Sequence, residues 1–141
     1  MPKKDLHTLI RLRKWDVDEK QRALAVLLRH EESVIERQKA LEAEVINELA
    51  QTSLMPADQR GTLPGYLKRC ENHRAGLAAA LQDIRQRITG AQEHLAEAYR
   101  RLKTFEVTQE QRDLFEDQED ARLETLELNE IGLNLHRRKT A

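Results

Sequence analysis

The 141-residue sequence has a single cysteine, Cys70. One thiol excludes a disulfide within the chain and fits a reducing compartment. Aromatic residues make up only 4% of the chain, and β-branched residues are few, which argues against a sheet protein. Glycine (5) and proline (3) are scarce, so regular structure has few places to break. No run of about 18 apolar residues occurs, so no spanning helix is expected. No signal-peptide apolar region comes after Pro2-Lys3-Lys4. The charges nearly cancel, at a net of -1, which gives no overall nucleic-acid signal. These absences lead to the expectation of a soluble, cytoplasmic protein with no nucleic-acid partner.

Charge itself is plentiful, at 35% of the residues. An excess of Ala, Glu, Lys, Leu and Arg at helical spacing is the composition of long helices and coiled coils. The helix breakers gather in Gln51 to Tyr66, which contains Pro56, Gly61, Pro64 and Gly65. Thr62 is the expected N-cap of a second helix, with Pro64 near its first helical position. The chain therefore divides, as one domain over 1–141, into a first helix (4–51), a turn region (52–63) and a second helix (64–138).

The second helix has the more regular repeat. Steps of three and four from Leu67 pass through Cys70, Arg74, Leu77, Leu81, Ile84, Ile88, Ala91, Leu95, Ala98, Leu102 and Phe105. Only Arg74 departs from an apolar or small residue, so the pattern predicts a coiled-coil seam. In the first helix Ile10, Val17 and Leu24 repeat by seven, as do Leu27, Val34 and Leu41. Leu28, Ile35, Val45 and Leu49 widen that stripe, and Glu31 and Gln38 interrupt it. Two such helices joined by a short turn predict an all-α fold, a long antiparallel two-helix coiled-coil hairpin. A parallel dimer of hairpins stays open at this point.

The arms differ in length, about 70 Å against about 110 Å. The pairing is therefore expected to run out near Thr104, leaving an extended C-terminal helical segment. Thr108 and Gln111 could form a capping box that restarts a helix. The alternative architecture is thus a three-helix arrangement with a break near Val107-Thr108.

Beyond Phe105 the seam positions turn polar at Gln109, Arg112, Glu116 and Glu119, then apolar again at Leu123, Leu126 and Leu133. The outward position, polar further back along the helix, becomes Val107, Leu114, Ala121, Leu128 and Leu135. At about 100° per residue, RLETLELNEI (Arg122 to Ile131) thus carries apolar residues on nearly opposite sides. A core-packing helix needs one such stripe, so the second is read as a surface kept for another protein. The alternatives are a face packed against another part of the same chain, or a break that resets the frame. From Gln109 to Glu130 nine acids stand against two arginines. That balance steers towards a basic partner.

Catalytic chemistry is not evident. Cys70 and His73 could supply two metal ligands but nothing supplies the others, and Cys70 occupies a seam position where a small apolar residue belongs. Gly76 and Gly90 lie inside a helix rather than in a phosphate-binding loop. No enzyme, cofactor or metal is expected. Trp15 reads as a partly exposed contact residue.

Three ordered elements resemble the FliJ family, the small coiled-coil protein of flagellar type III export. The first is LHTLIRLRKWDVDEKQRALAVL near the start. The second is the mid-chain turn leading into Tyr66-Leu67. The third is RLETLELNEI, with Asn129 where the family commonly shows Asp. The resemblance covers most of the chain. It implies a non-enzymatic stalk that binds the hexameric export ATPase and links it to the membrane-embedded export gate and to export chaperones. Recruitment to the inner face of the cell membrane would come through those partners. The block with Arg122, Glu124, Glu127, Leu128, Asn129, Glu130 and Ile131 would face the ATPase ring, its apolar members packing with the N-terminal helix. Leu41, Tyr66 and Cys70, near the hairpin tip, would face the gate. The stalk protein of a virulence-type injectisome and a generic coiled-coil adaptor are the alternatives.

Overall fold

The computed structural model describes residues 6–140. Helix α1 spans His7–Ser53 and helix α2 spans Leu63–Thr140; a single 3-10 turn, Ala57–Gln59, lies between them. No proline or glycine interrupts α1, and its residues are mostly good helix formers. The architecture is all-α, a coiled-coil hairpin of two long helices. The chain divides into two compact units, Val17–Glu97 and Met1–Asp16 with Ala98–Ala141.

In the unit Val17–Glu97 the two helices pack antiparallel through the predicted seam. Val34, Leu41 and Val45 of α1 are buried against Cys70, Leu77, Ile84 and Ile88 of α2. Leu24, Leu27, Tyr66, Leu67 and Leu81 flank this core. No large side chain is completely shut off from solvent among the described residues, as expected for two helices that share one narrow seam.

Two of the three polar interruptions of the seam, Glu31 and Arg74, find charged partners on the facing helix. Glu31 pairs with Arg85 at 3.3 Å, and Glu42 pairs with Arg74. In both pairs the residue numbers add up to 116, so both bridges report the same antiparallel register. The side chains are largely wet, and such pairs add little stability on their own. Their contribution is to favour this alignment over a slipped one.

The turn is held by one side chain reaching back. Arg60 donates from Nε to the Met55 carbonyl and from Nη2 to the Ser53 carbonyl, both at 3.0 Å. The last carbonyls of a helix lack intrahelical donors and carry its negative dipole end, so a guanidinium suits the position. Thr52 is buried, its hydroxyl donating to the Glu48 carbonyl at 2.8 Å. At the start of α2 the Thr62 carbonyl accepts from the Tyr66 N–H at 3.1 Å, the first bond of the helix.

In the unit Met1–Asp16 with Ala98–Ala141, the start of α1 lies along α2. Ile10 and Ala98 are buried. The Arg13 guanidinium sits 5.6 Å over the Phe105 ring. Its Nε is shut off from solvent with no hydrogen-bond acceptor, and the ring face partly compensates that charge. Helix α2 runs through Val107 and Thr108 without a break. The Thr108 hydroxyl donates to the Thr104 carbonyl at 2.8 Å, a bond of the helix interior rather than a cap. The expected restart at this point therefore does not occur.

Candidate functional site

Among the described residues, Gln109 marks the end of the pairing. It reads in the sequence as a polar failure of the seam, yet it is buried. Its side-chain oxygen accepts the Leu6 backbone N–H at 3.0 Å, while its amide nitrogen donates to Asp113 at 2.8 Å. Leu6 is the residue from which α1 starts, its carbonyl accepting the Ile10 N–H at 2.8 Å. The described part of α1 thus begins beside Gln109, five residues further along α2 than Thr104.

Beyond this point α2 continues over residues 110–140, about 45 Å of helix. From Ala121 to Thr140 every residue is exposed. Eight large apolar side chains stand on this extension: Leu114, Phe115, Leu123, Leu126, Leu128, Ile131, Leu133 and Leu135, each between 49% and 64% exposed. At about 100° per residue they form two stripes. Phe115, Leu126 and Leu133 line one, with Leu123 at its edge. Leu114, Leu128 and Leu135 line the other with Ile131, nearly opposite. Leu123 and Leu126 keep the register of the seam but have no seam to enter. The packing of this block's apolar residues against α1 is not found among the described residues, because α1 starts too far back.

The extension holds its helix by continuity with the paired part, which spares it the cost of a new nucleus. Arg137, Arg138 and Lys139 stand in its last turn, where cations favour the negative end of the dipole. Arg122 bridges Glu119 at 2.8 Å on the surface. The predicted ring-facing residues, Arg122, Glu124, Glu127, Leu128, Asn129, Glu130 and Ile131, thus share three consecutive turns and are all exposed.

The residues expected at the tip lie differently. Leu41 and Cys70 are buried in the core of Val17–Glu97, and Tyr66 packs against it. These side chains join the two helices rather than point outward. The Tyr66 hydroxyl is shut off from solvent without a conventional hydrogen-bond partner. Its pKa is pushed up to about 12, first by the adjacent Cys70 thiol, then by burial and by the charges of Glu44 and Glu48. The Cys70 contact falls outside good hydrogen-bond geometry and counts as a weak sulfur interaction. A cavity of about 210 Å³ beside it is lined by residues including Thr52, Arg60 and Tyr66, smaller than ordinary ligand pockets. The apolar side chains that do face outward near the turn are Ile46, Leu49, Leu54 and Met55, with Leu54 87% exposed.

Leu9, Leu12 and Trp15 are exposed near the start of α1, Trp15 at 60%. Among the described residues no group of three or more His, Cys, Asp or Glu could hold a metal ion. No described helix is long and apolar enough to cross a membrane.

Sequence reading missed Arg60, whose role depends on which carbonyls the turn brings within its reach. It also missed Gln109, whose role depends on where another helix begins.

Compared with known families, residues 2–141 match the family described as "FliJ: Flagellar FliJ protein". No curated protein and no solved structure matches the chain.

Proposed function

The chain belongs to the FliJ family, components of flagellar type III export, and from that premise we propose that it is the stalk which engages the hexameric export ATPase through the extension of α2. The observation that carries this reading is the exposure of every residue from Ala121 to Thr140, large apolar ones included. A hairpin that only packs against itself has no use for such a segment. A single helix is also slender, at about 10–12 Å with side chains, so it can enter a ring opening that a helix pair would fill.

The proposed contact is polar around an apolar stripe. Leu128 and Ile131 anchor it, while Arg122, Glu124, Glu127, Asn129 and Glu130 surround them with charge and hydrogen-bonding groups. The acidic balance of the extension calls for a basic lining in the ring, which would speed encounter more than tighten it. Exposed charge pairs are individually weak, which suits a stalk that must not lock to one subunit.

The turn region serves the other partners in this reading. Leu41, Tyr66 and Cys70 set the separation of the helices near the turn, and Ile46, Leu49, Leu54 and Met55 present apolar surface there. The export gate and empty export chaperones are the proposed occupants, and contact with the gate would bring the chain to the inner face of the membrane. The family matched is the flagellar one, which favours this system over an injectisome or an unrelated adaptor.

The test is capture of the purified export ATPase by the chain and by its Leu128→Asp plus Leu135→Asp variant. The wild-type chain should bind the ATPase and promote its hexamer, and the double variant should bind at least about tenfold more weakly, the loss of two apolar anchors. Absence of binding by the wild type, with no effect on ATPase assembly, would overturn the stalk reading.

A further inference from the structure

Two apolar stripes leave one unaccounted for when the ring takes Leu128, Ile131 and Leu135. We propose that the other stripe, Phe115, Leu123, Leu126 and Leu133, pairs with the same stripe of a second copy of this chain in antiparallel orientation. All four side chains are at least half exposed.

Their spacing is nearly symmetric about a point between Glu124 and Thr125. The steps from Phe115 to Leu123, Leu126 and Leu133 are eight, three and seven residues. An antiparallel pair centred there places Leu123 level with the partner copy's Leu126, and Phe115 one residue from level with its Leu133. A parallel pair would also match identical residues, so the spacing alone does not choose between the two.

Charge makes the choice. From Glu110 to Asp120 six acids stand against one arginine, a net of -5, whereas residues 131–140 hold three basic residues and no acid, a net of +3. Parallel pairing sets like charge beside like along both ends. Antiparallel pairing brings each basic end towards the acidic end of the other copy, which favours both encounter and orientation. The extension is long enough for such a contact. With roughly half of its residues facing the partner, it reaches about the low end of specific interfaces, near 1,200 Å². A dimer of this size is expected to be weak and dependent on concentration.

The pairing uses the other side of the helix, and its test needs no ATPase. An opening that a helix pair would fill admits the extension only as a monomer, so the dimer is the state of the chain outside the ring. It is tested on the full chain by sedimentation over a concentration series. Dimer is expected to form at tens of micromolar and to weaken as salt is raised, at about the scale where surface charges become screened. Leu123→Asp plus Leu126→Asp should weaken it at least about tenfold while circular dichroism stays unchanged. Leu128→Asp plus Leu135→Asp should leave it intact. Spin labels at Asn134→Cys should lie about 30 Å apart in an antiparallel dimer and about 10 Å apart in a parallel one. A monomer up to about 100 µM would overturn the proposal. So would a label separation of about 10 Å, or dissociation by the Leu128 and Leu135 pair rather than by the Leu123 and Leu126 pair.

Discussion

The Leu6 backbone N–H donates to the Gln109 side-chain oxygen at 3.0 Å, joining the start of α1 to the middle of α2. The first N–H groups of any helix have no intrahelical acceptor, and no side chain of the Leu6 type can cap its own helix. The acceptor is therefore supplied from the other helix. Gln109→Ala removes it and leaves a partly buried donor unsatisfied, at a cost of about 1–2 kcal/mol. The loss should be local, with faster amide exchange over the first turns of α1 and little change across Val34 to Leu41. Equal loosening along the whole of α1 would count against a capping role.

Burial separates the seam from the extension sharply enough to be tested by paired substitutions. Ile84 is buried at 4% exposure, so Ile84→Ala removes apolar contacts and leaves a partial cavity, costing about 2–4 kcal/mol. Leu128 and Leu135 are more than half exposed, so their joint replacement by Asp should change stability by less than about 1 kcal/mol. Thermal melting of the two variants beside the wild type provides the comparison. A large fall in melting temperature for the Leu128 and Leu135 variant would show those leucines packed within the chain.

How far the fold could be read in advance depends on the same division. Seam residues such as Ile84, Ile88 and Val34 announce themselves because local period and burial coincide along a coiled coil. Glu31 and Arg74 read only as interruptions, since the cross-helix register that pairs them with Arg85 and Glu42 is set by the turn rather than by either heptad pattern. Gln109 presents the same difficulty more strongly. A polar residue at a seam position signals the end of a core equally well whether it is solvated or caps another helix. The extension is legible as a second apolar face, but its full exposure depends on the place where α1 begins. The tip expectation does not separate inward from outward residues because Leu41 and Cys70 obey the heptad, whereas Leu54 and Met55 lie in the turn, outside any periodic pattern.

The alkaline limb of stability should report on Tyr66. Its pKa is raised from about 10 unfolded to about 12 folded. A raised acid holds its proton more tightly in the folded chain, so its stabilising contribution is complete below pH 10. That contribution is lost as pH rises through the window from 10 to 12. Tyr66→Phe cannot ionise and should lose less stability across the same window than the wild type. Denaturation measured at several alkaline pH values, with phenolate absorbance tracked in parallel, checks both parts. Parallel curves for the two proteins would show that this hydroxyl ionises equally easily folded and unfolded.

Gly76 and Gly132 offer the same substitution in two settings. Neither has positive φ, and a Cβ added to either meets nothing within 4 Å, so alanine fits both without strain. Glycine inside a helix costs about 1 kcal/mol relative to alanine, through backbone freedom in the unfolded chain. Gly76 lies among paired turns of α2, between the buried Cys70 and Leu77. Gly76→Ala should therefore stabilise the cooperative unit by about 0.5–1 kcal/mol and raise its melting temperature. Gly132 lies on the exposed extension, where helix can fray without opening the seam. Gly132→Ala should slow amide exchange around residues 128–136 and leave the main melting transition in place. A rise in the main transition with Gly132→Ala would mean that the extension unfolds together with the paired helices, and that its exposed turns are coupled to the core.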